Sequence, residues 1–299
     1  MDARLSTLYT AALEQVPAAA GCTSLVAVGG FGRREPSPYS DVDVVLLHVP
    51  NAPTSVVEPL AQALWYPLWD DGIPLDHAVR GSGDMQAVAE RDWRAALGML
   101  DARHVAGTAW LTQDLRSAVL AGWRRDARRR LPELHAACRE RAERAGDLAY
   151  AAVPDLKDSR GGLRDLVVLR ALVATWLVDV PPQPAEEYRT ALLDVRDALH
   201  KASGRRGNRL HPELVPDVAR VLGTDPDGVG RRVRGLGRRN AHLFDLTWRR
   251  LDQTLSQPGR PGRQPGRRGP RPVLRQLGGG IAQFGDEVVL EGQHTCCCR

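Results

Sequence analysis

Hydrophobic and polar positions form short runs through the first part of the chain. Residues 24–28 form a short run that is apolar after Ser24 and stops at a Gly-Gly pair, residues 41–49 alternate before becoming apolar, and residues 73–80 alternate again. Such runs between turn residues predict three β-strands. Apolar positions over 3–20 and 56–69 recur at helical spacing instead, so these segments predict helices, the second with proline interruptions.

The period of the pattern changes after about residue 84, where apolar residues recur every three or four positions. Leu192, Val195 and Leu199 share one helical face in this way. We therefore predict an α/β domain over 1–110 and a helical domain over 111–255. Residues 256–272 are rich in Pro, Gly and Arg and predict a linker, and the tail that follows to residue 299 contains one plausible strand at 287–290.

The formal net charge of +5 raises the question of a nucleic-acid partner. Residues 256–299 hold seven arginines and three acidic residues, so this segment alone carries +4. The part before it is nearly neutral, and we expect no specific nucleic-acid partner. The absence of an 18-residue apolar run and of a signal-peptide pattern predicts a cytoplasmic protein with no membrane span. The cysteines form no Cys-x-x-Cys pair, which disfavours a zinc site.

The candidate chemistry is concentrated between residues 26 and 47, which read VAVGGFGRREPSPYSDVDVVLL. Asp41 and Asp43 lie two apart in a predicted strand, so their side chains project from one face, about 7 Å apart. Paired carboxylates repel each other unless a cation lies between them, and their hard oxygens suit Mg²⁺. Gly29 and Gly30, at the end of the preceding strand, would let backbone N–H groups approach a phosphate closely.

A glycine turn or an Asp-x-Asp pair is common by itself, but the order of the two is specific. A strand, a Gly-Gly turn and an Asp-x-Asp pair eleven residues later resemble the polymerase-β-like nucleotidyltransferase superfamily. That resemblance implies an α+β fold with a mixed sheet and a third carboxylate on a later strand. Asp76, in the third predicted strand, is our candidate, with Asp70 and Asp71 as alternatives in the preceding turn.

Further motifs narrow the resemblance to the protein-PII uridylyltransferase family. GGFGRREPSPYSDVDVVLL resembles its nucleotidyltransferase motif, and PDLKDSRGGLRDL (residues 154–166) and NRLHPELVPDVARVLG (residues 208–223) are similar to two later signatures in the expected order. Many members carry glycine where Asp76 stands. Members also continue into a His-Asp phosphohydrolase domain and two ACT domains. The chain has no His-Asp dipeptide, so we expect a truncated member without uridylyl-removing activity.

The resemblance implies transfer of UMP or AMP from UTP or ATP to a tyrosine of the PII signal protein, with release of pyrophosphate. It makes Asp41, Asp43 and Asp76 the catalytic and Mg²⁺-binding residues. The predicted nucleotide-binding residues are Gly29, Gly30, Arg33, Ser40 and Lys157. Two alternatives stay open: a nucleotidyltransferase acting on a small molecule or an RNA end, and a non-catalytic fragment that binds PII or nucleotide.

Overall fold

The computed structural model describes residues 1–256 and three short strands in the tail. The predicted α+β class is confirmed, with a mixed four-stranded sheet followed by helices. The strands of this sheet are β1 (Thr23–Ala27), β2 (Val42–His48), β3 (Leu75–Gly81) and β4 (Arg103–Gly107).

The sheet has the order β3-β2-β1-β4 and is mixed in direction. β1 is antiparallel to β2 and to β4, whereas β2 and β3 are parallel. Because successive side chains of a strand point to opposite faces, neighbouring residues enter different cores. Leu46 belongs to the core on one face, and Leu47 belongs to the core on the other.

Helices cover both faces of the sheet and continue beyond it. The first four are α1 (Asp2–Gln15), α2 (Gly29–Gly32), α3 (Thr54–Asp70) and α4 (Ser82–Arg91). They are followed by α5 (Trp93–Met99), α6 (Ala109–Arg125), α7 (Ala127–Ala145) and α8 (Leu163–Ala174). The last three are α9 (Pro182–Ser203), α10 (Val215–Leu222) and α11 (Pro226–Ser256).

Two apolar cores hold these elements together. Leu5 of α1 and Leu60 of α3 are fully buried against one face of the sheet. The other core begins on the opposite face, with residues such as Leu47, and extends through the helices as far as Leu251. Residues 1–256 therefore form one compact unit, and the predicted domain boundary near residue 110 stays a prediction.

Several predicted elements differ from the structure in their limits. The helix predicted over 3–20 ends at Gln15, and α3 runs without interruption through its two prolines. The prediction of helix from residue 84 onward is wrong at β4. That segment pairs with β1, with Ala106 opposite Leu25, but its sequence, RHVAG, lacks the apolar run that marks β1.

The tail contains the strand predicted at 287–290 and two strands that were not predicted. β5 (Arg275–Gly278), β6 (Ile281–Phe284) and β7 (Glu287–Leu290) form an antiparallel sheet, in which β7 pairs with the strand before it. The predicted linker beyond Ser256 and the cysteine run at 296–298 lie outside the described residues. No helix in the described part is both long and apolar enough to cross a bilayer.

Candidate functional site

Carboxylates from two neighbouring strands lie side by side in the sheet. Asp43 of β2 is directly opposite Asp76 of β3 in the parallel register, and Asp41 lies one residue before β2. Burial raises the pKa of the Asp43 carboxyl, and the negative charges of Asp41 and Asp76 raise it further. The negative charges of Asp41 and Asp76 therefore act on the Asp43 carboxylate, and a cation nearby would relieve that repulsion.

The glycine turn after β1, which forms the short helix α2, packs against the same Asp43 carboxylate. Gly29 has φ +55°, and a Cβ atom added there would lie 2.8 Å from Asp43 Oδ2. The backbone N–H of Gly30 donates a hydrogen bond to the Asp43 carboxylate, and the N–H of Val28 donates to the Asp43 carbonyl oxygen at 3.1 Å. Position 29 requires glycine both for its backbone conformation and for the space that Asp43 fills.

Two cationic residues reach the carboxylates from loops of the helical part. Arg206 Nη1 donates to Asp41 Oδ2 at 2.9 Å, across 165 residues of sequence. Lys157 is close enough for its charge to lower the pKa of Asp43. Burial lowers the pKa of the Lys157 ammonium itself, and the nearby Arg164 lowers it further.

The loops that carry Lys157 and Arg206 are tied together by backbone hydrogen bonds. The N–H of Leu156 donates to Asn208 O at 2.8 Å, and the N–H of Leu210 donates to Pro154 O at 2.9 Å. Lys157 and Arg206 therefore lie on one pair of hydrogen-bonded loops, next to the carboxylates of the sheet.

His200 of α9 joins this unit to the loop before β2. Its Nδ1 accepts a hydrogen bond from the N–H of Tyr39 at 3.4 Å, and its Nε2 lies 2.8 Å from Gly207 O. The residue is 2% exposed, and burial lowers the pKa of its imidazole. The neutral ring, with its proton on Nε2, satisfies both contacts at once.

Arg33 and Ser40 lie beside this cluster and are engaged in local contacts. Arg33 Nε donates to Glu35 Oε2 at 2.7 Å, while an Nη2 atom of Arg33 comes within 4.0 Å of the position of a Cβ on Gly30. Ser40 Oγ accepts from the N–H of Ser37 at 3.0 Å and closes the turn before Asp41. Arg33 borders the glycine turn, whereas the Ser40 hydroxyl helps to shape the loop.

The GGLRDL segment has a packing role that its sequence does not reveal. Gly161 has φ +86°, and a Cβ there would lie 2.4 Å from the carbonyl oxygen of Gly237 in α11. The fully buried Asn240 donates through Nδ2 to the carbonyl oxygens of Gly161 at 2.9 Å and Gly162 at 3.0 Å. Asp165, also fully buried, pairs with Arg141. These contacts fix the loop that presents Lys157.

The donor chemistry of the cluster fits Mg²⁺, although its carboxylates are not assembled around one point. Asp41, Asp43 and Asp76 offer the hard oxygen ligands that this ion prefers. Within residues 1–256 and the three tail strands, no three acidic, histidine or cysteine side chains are arranged so that they could hold a metal ion. Asp41 is engaged by Arg206 instead.

The structure thus brings most of the predicted site residues into one region and adds others. Sequence reasoning missed Arg206 and His200, and it missed that the carboxylates meet cations from loops far along the chain. The only signal for Arg206 was its place two residues before the NRL segment, which begins at Asn208.

Fold and carboxylate placement together define the class of the protein. A mixed four-stranded sheet in an α+β protein, with Asp43 and Asp76 paired across neighbouring strands beside a glycine turn, is the arrangement of a nucleotidyltransferase-like domain.

Comparison with known proteins identifies the family. Residues 129–244 match the model described as GlnD PII-uridylyltransferase. A bifunctional uridylyltransferase/uridylyl-removing enzyme from Streptomyces coelicolor is 48% identical over 262 residues, which are 87% of this chain and 31% of the relative. A protein of the same description from Mycobacterium tuberculosis is 38% identical over 276 residues, which are 89% of this chain and 33% of the relative. The chain belongs to the PII-uridylyltransferase family.

The match covers only part of each relative, and this limits which properties of the relatives can be assigned to the chain. The chain spans about a third of the length of these two curated relatives. A relative from Corynebacterium glutamicum with the same description is 37% identical over 217 residues, which are 72% of this chain and 30% of the relative. The activities in these names are those of the relatives.

Proposed function

We propose that this chain transfers a nucleotidyl group, UMP or AMP, from the nucleoside triphosphate to a tyrosine hydroxyl of PII and releases pyrophosphate. The observation that carries the proposal is the placement of Asp41, Asp43 and Asp76 beside the Gly29–Gly32 turn. Membership of the family supports PII as the acceptor and UTP as a donor.

Asp41, Asp43 and Asp76 would hold Mg²⁺, which when bound would offset phosphate charge and favour ionisation of the attacking hydroxyl. Asp43 has the most fixed carboxylate of the three, because it accepts a hydrogen bond from the Gly30 N–H and packs against Gly29 where a Cβ would otherwise lie. Asp76 presents an exposed carboxylate at the open edge of the sheet, where an acceptor hydroxyl could approach.

Cationic groups around the carboxylates would bind and orient the triphosphate. Lys157 lies on the loop that the GGLRDL segment anchors. Because the side chain is partly buried, water and salt screen its positive charge less than they would at the surface. Arg33 is a further phosphate-binding candidate because its guanidinium borders the glycine turn. These roles position the donor so that pyrophosphate can leave in line.

Incubation of the purified chain with PII, Mg²⁺ and α-labelled UTP or ATP tests the proposal. We expect label on PII with the wild-type chain and none with Asp41→Asn, Asp43→Asn, which removes charge but keeps side-chain shape. Asp114→Asn is the matched control, because this exposed α6 carboxylate is remote in sequence from the cluster and should leave transfer unchanged.

Two results would contradict the proposal. Label on an RNA end or a small molecule but not on PII would favour a different nucleotidyltransferase. Binding of PII and nucleotide by a folded chain with no transfer would favour a non-catalytic binding role. The absence of uridylyl-removing activity stays a prediction, and the same assay tests it if labelled PII is returned to the chain and release of label is followed.

A further inference from the structure

Arg206 stands where a cation is expected at the proposed metal site. Its Nη1 atom lies 2.9 Å from Asp41 Oδ2. Within the described residues, Asp41 is the only carboxylate that forms an ion pair with Arg206. The pair is substantially open to water, with the Arg206 side chain 60% exposed and the Asp41 side chain 32% exposed.

The loop that carries Arg206 is held in place, whereas the Arg206 side chain is largely exposed and makes one ion pair, with Asp41, among the described residues. Gly207 is tied to the buried His200 ring, because its carbonyl oxygen accepts a hydrogen bond from His200 Nε2 at 2.8 Å. The exposed Arg206 side chain is long and can reach other acceptors from this fixed base. An exposed ion pair of this kind is weak, about 0–1 kcal/mol, so little opposes its exchange for a stronger partner.

The electrostatics of the site give this exchange a direction. A divalent ion on Asp41 removes the partner of Arg206 and repels its guanidinium. A triphosphate that arrives with the ion offers Arg206 a bidentate anionic partner in the same place. Arg206 should therefore oppose binding of metal alone and favour binding of metal together with nucleotide.

We propose that Arg206 neutralises Asp41 in the nucleotide-free protein and moves to the phosphates of the nucleotide when metal and nucleotide bind together. Arg206 is then a nucleotide-binding residue that also suppresses binding of metal without substrate. The inference rests on the proposed function, because it needs a triphosphate as the ligand of this site.

Two binding measurements on the full chain test the proposal without any turnover. Mn²⁺ binding without nucleotide is followed by the electron paramagnetic resonance signal of the free ion. Binding of α,β-imido analogues of UTP and ATP in the presence of Mg²⁺ is followed by calorimetry. Removal of Arg206 should move the two affinities in opposite directions.

For Arg206→Gln we expect Mn²⁺ alone to bind about threefold more tightly, since a weak surface pair no longer competes. We expect the nucleotide analogue to bind about tenfold more weakly, as for loss of one charge-assisted hydrogen bond. Arg206→Lys keeps the charge without the bidentate fork and should show a smaller loss of nucleotide affinity. Arg205→Gln is the matched control, since it makes the same charge change one residue away and should alter neither affinity.

The outcomes separate this proposal from the proposed function. If Arg206→Gln leaves both affinities unchanged, or weakens both, Arg206 serves only the loop and the proposal is overturned. If the folded wild-type chain binds neither Mn²⁺ nor either analogue, the proposed function itself fails. Circular dichroism and a urea unfolding curve for each variant show that the fold is retained.

Discussion

Replacing Gly29 by alanine tests whether the glycine turn and Asp43 form one unit. The added Cβ would lie 2.8 Å from Asp43 Oδ2, where ordinary contacts begin at 3.4 Å, so the carboxylate must retreat by about 0.6 Å. Gly29 also has φ +55°, a backbone conformation that costs alanine about 1–2 kcal/mol.

Gly72→Ala separates the two causes. Gly72 has a similar φ of +66°, but a Cβ there would meet nothing within 4 Å. It should lower the free energy of unfolding by about 1 kcal/mol, from backbone strain alone. Gly29→Ala should cost about 2–3 kcal/mol, because displacement of Asp43 also weakens its hydrogen bond from the Gly30 N–H.

Urea unfolding of both variants measures these costs, and Mn²⁺ binding measures the effect on the site. We expect Gly29→Ala to weaken Mn²⁺ binding about tenfold, or 1.4 kcal/mol, while Gly72→Ala leaves it unchanged. Equal unfolding costs for the two variants, together with unchanged Mn²⁺ binding, would refute the argument that Asp43 is held against Gly29.

Three further predictions concern stability and reactivity. Asn240→Ala should lower the free energy of unfolding by about 1–3 kcal/mol in urea, because two buried glycine carbonyls lose their donor, whereas Gln253→Ala on the exposed face of the same helix should cost little. Burial lowers the pKa of His104, so the unfolded chain takes up a proton near pH 6.5 before the folded chain does, and the stability present above that pH should fall as the pH drops to 5. His104→Gln should make this fall smaller than in the wild type, because it removes one of the histidines whose pKa burial lowers. Burial raises the pKa of the Cys138 thiol to about 11, so iodoacetamide at pH 8 should alkylate Cys22 faster than Cys138. Mapping of the modified peptides measures the two rates, and equal rates would contradict the burial of Cys138.

The parts of the fold that the sequence predicts are those with a local signal. Alternation marks β2 and β3, and the Asp-x-Asp pair lies within that alternation, so Asp41 and Asp43 were singled out without coordinates. Asp76 was singled out by the superfamily resemblance. β4 was missed because its sequence, RHVAG, contains only two adjacent apolar residues, so its strand conformation is recognised from its pairing with β1.

The cationic half of the site was only partly predictable because it depends on contacts between distant segments. Lys157 was found through a family signature. Arg206 contacts Asp41 because the loops at 154–158 and 205–210 pair with each other and His200 joins them to the segment before β2. The GGLRDL segment was recognised in sequence only as a family signature, whereas the structure shows that Gly161 is needed for close approach of the backbone of α11. Neither the Arg206–Asp41 ion pair nor the packing of Gly161 against α11 produces a periodic pattern in the sequence.

The central claim is tested most directly by the position of the label on PII after incubation with the chain, Mg²⁺ and a mixture of UTP and ATP. Peptide mass spectrometry should find a nucleotidyl group on one tyrosine with the wild-type chain, and none with Asp41→Asn, Asp43→Asn. An unmodified PII after incubation with a folded, nucleotide-binding wild-type chain, or equal modification by the double variant, would contradict the account.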